Sequence, residues 1–113
     1  MTIPVNAETV LAVYKMLRHF PPFNRWNLPA TVNAEVVPFK SFRADYDPKT
    51  RTMRVSFQKV TTFHCLVEAV AHEMCHLRQD ITDRWPAGDA HNADFRRMAK
   101  QVCKHFPFDP ANF

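Results

Sequence analysis

Apolar and polar residues alternate with two different periods along this chain, and each change of period predicts a change between helix and strand. Apolar residues recur at helical spacing in three stretches, which predict helices over about residues 7–19, 62–82 and 91–105. Residue types that cap a helix N-terminus precede the first two stretches: Asn6, and Thr61 or Thr62. The apolar stripe of each predicted helix should therefore face a common core.

Between the first two helices the period falls to two, which is typical of strands with one buried face. The alternation predicts three strands, at about residues 31–36, 41–46 and 53–57. Turn residues at positions 47–50 separate the second and third strands, so these two should form an antiparallel hairpin. We therefore predict one α+β domain over residues 1–113, with a three-stranded and mainly antiparallel sheet.

The composition excludes several classes of protein. A hydrophobic fraction of 46% is typical of a globular chain, and no apolar run is long enough to cross a bilayer. Asn6 and Glu8 interrupt what would be the apolar part of a signal peptide, so we expect an intracellular, cytoplasmic protein without membrane contact. The 3 cysteines never occur as C-x-x-C, which argues against a disulfide framework or a cysteine zinc site. The net charge of +4 only weakly favours anionic partners such as nucleic acid.

The second predicted helix contains the segment His72-Glu73-Met74-Cys75-His76, an H-E-x-x-H motif. Four residues of helix turn by about 400°, so His72 and His76 lie on one face, about 5–6 Å apart, where both can bind one Zn²⁺ ion. Glu73 is rotated by about 100° from His72 and lies beside the metal, where it can take a proton from water. The motif therefore predicts two metal ligands and a general base within one helical turn.

A catalytic zinc ion usually has three protein ligands, so a third must come from the residues after the motif. The candidates are Asp80, Asp83, Asp89, His91, Asp94 and His105. A ligand on the same straight helix cannot reach around the ion, and one at the far end of the last helix would need a long return, which disfavours Asp80 and His105. His91 fits best because a loop precedes it and it stands at the start of a helix that packs inward. Asp89 and Asp94 remain alternatives.

Basic residues form two groups that nucleic acid could contact. The outer face of the last predicted helix carries Arg96, Arg97, Lys100 and Lys104. Cations late in a helix also complement its dipole, so this face has a purely structural explanation too. On the predicted sheet Arg43 and Arg54, which Arg51 can join, project from one face. For the sheet a solvated surface is the favoured interpretation.

The H-E-x-x-H motif and the later segment His91-Asn92-Ala93-Asp94-Phe95 together resemble the SprT-like (Spartan-type) metallopeptidases, in which a third zinc histidine opens an H-x-x-x-F segment. The hairpin around Tyr46-Asp47-Pro48 is similar to the strand pair ahead of the catalytic helix in that family. The resemblance covers about residues 31–106. It implies a minimal zincin-like fold, with zinc on His72, His76 and His91 and Glu73 as the base. Two departures are Asn92, where many members have glycine, and the absence of a cysteine zinc ribbon.

These observations predict a zinc-dependent endopeptidase that hydrolyses protein or peptide substrates, with Glu73 as general base. Within the resembled family, DNA-activated cleavage of DNA-bound proteins is the best-known role, so DNA is a candidate partner. One alternative is a non-catalytic DNA- or protein-binding module that retains a structural zinc site. Another is a hydrolase of amides that are not peptides. The sequence leaves the group that stabilises the oxyanion open among Tyr46, Arg78 and His105.

Overall fold

The computed structural model describes residues 5–38, 40–111 and 113 of the chain. Within these residues the elements are α1 (Ala7–Leu17), β1 (Asn33–Val37), β2 (Ala44–Asp47), β3 (Thr52–Ser56), α2 (Phe63–Ile81) and α3 (Ala93–His105), with a short 3-10 turn at Phe23–Arg25. Each predicted helix and strand is present. The α+β class is therefore confirmed, as a globule of three helices and a three-stranded sheet.

Side-chain caps set the first residue of each helix. The Asn6 side chain accepts a hydrogen bond from the Thr9 amide at 2.8 Å, and the Thr62 hydroxyl accepts one from the Cys65 amide at 3.0 Å. Asn92 caps α3 in the same way, at 3.1 Å from the Phe95 amide. These caps satisfy amides that have no partner within the helix. The cap at Asn92 leaves the preceding residue, His91, just outside α3.

The sheet has the strand order β1-β3-β2 and is mixed. β2 and β3 form the predicted antiparallel hairpin, with Asp45 opposite Arg54. β1 pairs in parallel with β3, with Asn33 opposite Thr52. The prediction of a mainly antiparallel sheet is therefore wrong for one of its two strand pairs. The reason is that the link between β1 and β2 crosses two strand spacings, about 10 Å, and leaves room for β3 between them.

The motif helix α2 lies at the centre of the fold and packs against α1, α3, β2 and β3. Its predicted apolar stripe is buried, with Leu66, Val70, Met74 and Leu77 each at most 1% exposed. Close packing on several sides fixes the helix in one orientation and with it the direction of each motif side chain. None of the described helices combines the length and apolar character that a bilayer crossing requires.

Candidate metal centre

Three histidine side chains converge between α2 and the segment before α3. The Nε2 atom of His91 lies 3.1 Å from Nε2 of His72 and 3.2 Å from Nε2 of His76. One ligand atom from each histidine lies within 4.8 Å of the other two. Nitrogen ligands bound tetrahedrally to zinc at 2.0–2.1 Å are about 3.3 Å apart. The three imidazoles therefore form a cluster that could hold a metal ion, and they are the three histidines that the sequence singles out.

Phe95 forms the apolar floor of this cluster. Its ring stacks on His76, with centroids 4.6 Å apart and an interplanar angle of 20°. The ring centroids of His72 and His91 each lie 4.8 Å from that of Phe95. Because Phe95 is only 3% exposed and belongs to α3, it holds the start of that helix against α2. This packing places His91 opposite the two motif histidines.

Gln79 is a buried polar residue that links both sides of the cluster, and it is not among the residues that the sequence motif predicts. Its Oε1 lies 2.8 Å from Nδ1 of His76, and its Nε2 donates to the Ala90 carbonyl at 3.0 Å and to the Asn92 side chain at 3.3 Å. A carbonyl can only accept, so the bond to Ala90 fixes the amide orientation and makes His76 Nδ1 the donor. The lone pair on Nε2 of His76 then points to the cluster. A signal for this role exists, since Gln79 follows His76 at helical spacing.

The surroundings of the two motif histidines keep them uncharged. Burial is the main cause that lowers the pKa of His72 to about 3, and the positive charges of His76, His91 and Arg43 add to it. Burial also lowers the pKa of His76 to about 4, against the opposing effect of the bond to Gln79. Neutral imidazole is the form that binds metal. At neutral pH both histidines are therefore ready to act as ligands.

Glu73 is a buried carboxylate beside the cluster. It is 3% exposed, and its Oε1 atom has no hydrogen-bond partner among the described residues. Burial raises the pKa of Glu73 well above the usual glutamate value, Asp45 adds to the increase, and Arg43 opposes it. A buried carboxyl oxygen without a hydrogen-bond partner destabilises a fold, which makes Glu73 a candidate functional residue.

A cleft of about 220 Å³ gives access to Glu73 and the cluster. It is lined by Phe42, Arg43, Ala44, Ala69, His72, Glu73 and His91. One wall therefore comes from α2 and the other from β2 and the residues just before it. The histidine cluster and the Glu73 carboxyl group therefore meet at one open cleft.

Asp89 and Asp94, the alternative candidates for the third ligand, have other partners. Asp94 pairs with Arg84 at 2.6 Å and also with Arg97, and Asp89 accepts a hydrogen bond from the His91 amide at 2.9 Å. Asp89 also lies 3.5 Å from Nδ1 of His91, so it faces the side of the ring away from the cluster. Neither carboxylate belongs to the cluster of possible ligands found among the described residues.

Two of the residues considered for stabilising an oxyanion donate hydrogen bonds to other groups of the protein. The Tyr46 hydroxyl donates to Asp80 at 2.5 Å, and Arg78 donates to the Trp26 carbonyl. Asp80, the residue one turn after His76, is thus held by Tyr46 and by Arg51 at 3.3 Å. None of these side chains lines the cleft.

The basic face of α3 lies around a separate groove. Arg96, Arg97, Lys100 and Lys104 are all exposed, and the first three line this groove of about 600 Å³ together with Phe113. Arg96 donates to the His91 carbonyl at 2.9 Å, and Arg97 pairs with Asp94. Two of the four cations thus have structural partners. Nucleic-acid binding by this face stays a prediction.

Comparison with known proteins gives no relative, since no family model, no curated protein and no solved structure matches this chain. The fold and site define an α+β protein with a three-histidine cluster that could hold a metal ion. The resemblance to SprT-like metallopeptidases stays a prediction that rests on the motif residues.

Proposed function

We propose that this protein is a zinc-dependent endopeptidase of the SprT-like type, with zinc on His72, His76 and His91 and with Glu73 as general base. The observation that supports it most is the position of Glu73. Its carboxylate is buried, has an oxygen without a partner among the described residues, and faces the same cleft as two of the histidines. A site that only stored a structural metal would not need this group.

The donor set favours zinc over harder cations. Imidazole nitrogen is a common zinc ligand, whereas magnesium and calcium prefer oxygen. Three protein ligands with a fourth position open to a cleft are the arrangement of catalytic sites, and structural zinc sites usually have four protein ligands. When bound, zinc would polarise a substrate carbonyl and lower the pKa of water from 15.7 to about 7.

Glu73 would move protons in the reaction. A carboxyl with a raised pKa is a stronger base than an ordinary glutamate, so it can accept the proton of the attacking water. The same carboxyl can then donate that proton to the leaving amine of the cleaved peptide bond. General acid–base catalysis of this kind contributes about 10²–10⁴-fold to a rate.

The position of β2 favours an extended peptide as the substrate. β2 lies at the edge of the sheet, and Ala44 in β2 lines the cleft. The Ser56 amide donates to the Arg43 carbonyl at 2.7 Å, so the alternation of an antiparallel pair directs the backbone groups of Ala44 away from β3. An extended peptide can add to such an edge through main-chain hydrogen bonds. A small non-peptide amide would not use this edge.

The test compares Glu73→Gln with the matched control Glu35→Gln, which changes an exposed carboxylate on β1. Each zinc-loaded protein is incubated with an unstructured protein substrate, alone and with single-stranded or duplex DNA. We expect Glu73→Gln to keep its zinc and lose at least about 10²-fold in cleavage rate, and the control to stay active. Full activity of Glu73→Gln would refute the assignment of the base. Full zinc occupancy of the unmodified protein without cleavage under any of these conditions would instead favour a binding module with a structural metal.

A further inference from the structure

Arg43 is the one lysine or arginine that lines the cleft beside the histidine cluster, as far as the described residues go. It immediately precedes β2, on the wall opposite α2. A third of its side-chain surface, 33%, stays accessible. A ligand in the cleft would therefore meet this guanidinium next to the histidine cluster.

A partly buried ion pair holds Arg43 in place. Its guanidinium donates to the carboxylate of Glu68 in α2, and the Glu68 side chain is only 9% exposed. Burying two charges costs desolvation energy, and truncating one partner of such a pair is strongly destabilising. The pair therefore fixes the guanidinium before any ligand binds. A guanidinium has five donors in one plane, and a third of the Arg43 side chain is accessible, so Arg43 can contact a ligand carboxylate in the cleft while its bond to Glu68 remains.

The guanidinium of Arg43 shares the cleft with His72, Glu73 and His91. Apart from Glu73, no acidic side chain of the described residues lines the cleft. A divalent ion on three neutral histidines would add to the positive potential. The cleft is therefore suited to a substrate group that carries negative charge.

We propose that Arg43 makes the region of the cleft next to the histidine cluster a subsite for a carboxylate. The preferred substrates are then peptides with an aspartate or glutamate side chain close to the scissile bond. The inference rests on the proposed peptidase function for the reaction, but the binding preference can be measured without turnover.

The experiment measures peptide binding to the zinc-loaded Glu73→Gln protein by fluorescence anisotropy. The probes are three labelled peptides that differ only in having glutamate, glutamine or lysine at the central positions. We expect the glutamate peptide to bind about twofold to fivefold more tightly than the lysine peptide, the size of one partly exposed ion pair. The difference should shrink as salt is raised, because the charges are partly exposed. Equal affinity for all three peptides would overturn the subsite.

Variants separate this role from the structural pair with Glu68. Arg43→Gln should abolish the preference for the glutamate peptide, and Arg43→Lys should keep part of it. Arg54→Gln is the matched control. Like Arg43, Arg54 pairs with a carboxylate, that of Asp45 in β2 at 2.5 Å, but Arg54 does not line the cleft. A preference that survives in folded Arg43→Gln would refute the role of Arg43. If Arg43→Gln does not fold, the peptide preference of Arg43→Lys and its salt dependence still test whether Arg43 binds the carboxylate.

Turnover by the protein with Glu73 intact distinguishes the two proposals. Cleavage that depends on Glu73 but not on peptide charge would refute the Arg43 subsite and support the peptidase function. Charge-dependent binding without cleavage of any peptide would support the Arg43 subsite and refute the peptidase function. Preferential cleavage of the glutamate peptide, lost in Arg43→Gln, would support both.

Discussion

Gln79 offers the sharpest test of how the site is held together, because one side chain connects His76 to the segment that carries His91. We consider Gln79→Leu, which keeps most of the volume and removes all three hydrogen bonds. The substitution leaves His76 Nδ1 and the Ala90 carbonyl without their partners, whereas the Asn92 side chain keeps its bond to the Phe95 amide. Gln79 itself is 0% exposed, so water cannot replace these bonds without a rearrangement.

The size of the effect follows from those two lost bonds. Leaving a buried polar group unsatisfied costs about 1–3 kcal/mol, and Ala90 is only half-buried, so the free energy of unfolding should fall by about 2–4 kcal/mol. A protein with a typical stability of about 5–15 kcal/mol still folds. Loss of the residue that orients a metal-binding histidine typically lowers metal affinity by about 10–100-fold. We expect a zinc affinity reduced by that factor.

The assay combines zinc titration against a competing chelator with nitrogen NMR of the metal-free histidine rings. In the unmodified protein His76 should carry its proton on Nδ1, and in Gln79→Leu this preference should be lost. Gln79→Glu separates the two ends of the side chain, because a carboxylate can still accept from His76 but cannot donate to Ala90. It should keep more of the zinc affinity than Gln79→Leu. Gln101→Leu, on the exposed side of α3, is the control. Unchanged zinc affinity and unchanged His76 protonation in folded Gln79→Leu would refute the reasoning.

Two further predictions concern the histidines. His91→Ala should weaken zinc binding strongly while the exposed control His19→Ala does not, as measured by metal content after dialysis; unchanged zinc in His91→Ala would move the third ligand elsewhere. The second prediction concerns the pH dependence of stability. Burial lowers the pKa of His72 to about 3 and that of His76 to about 4. Below about pH 6.5 the unfolded chain therefore binds protons at these two histidines that the folded chain does not bind. Urea unfolding of the metal-free protein should therefore show stability that is present above pH 6.5 and lost as the pH falls towards 4. Glu73, with its raised pKa, contributes the opposite slope, so the measurement is made on Glu73→Gln; a flat profile there would contradict the prediction.

The part of the site that lies on α2 could be predicted because local geometry determines it. Once the apolar stripe identifies residues 63–81 as a helix, the spacing places His72 and His76 on one face of it. The same spacing directs Glu73 towards the wall of the cleft that β2 forms. His91 required one further step, that a ligand must come from a loop or helix start able to reach back. No tertiary information entered either inference.

The remaining features depend on contacts between distant segments. Residue alternation identifies β1 as a strand but does not say whether β2 or β3 is its neighbour, so the parallel pair could not be foreseen. The alternation of residues predicts a solvated sheet face for Arg43, because neither segment shows from its sequence that β2 docks on α2 and brings Arg43 to Glu68. Gln79 is the intermediate case, since its helical spacing was visible but its bond to Ala90 was not.

The polar groups on α2 are best explained together. Glu68, Glu73, His76 and Gln79 are all at least nine-tenths buried, on a helix whose other buried positions are mostly apolar. Each such group lowers stability relative to an apolar residue of similar size, unless it is fully hydrogen-bonded. All four lie at the histidine cluster or beside its cleft: Glu68 pairs with Arg43, Gln79 bonds to His76, His76 belongs to the cluster, and Glu73 lines the cleft. The convergence of these buried polar groups makes the histidine cluster and its cleft the candidate functional site, because a helix that served only to pack the core would be expected to carry apolar side chains there.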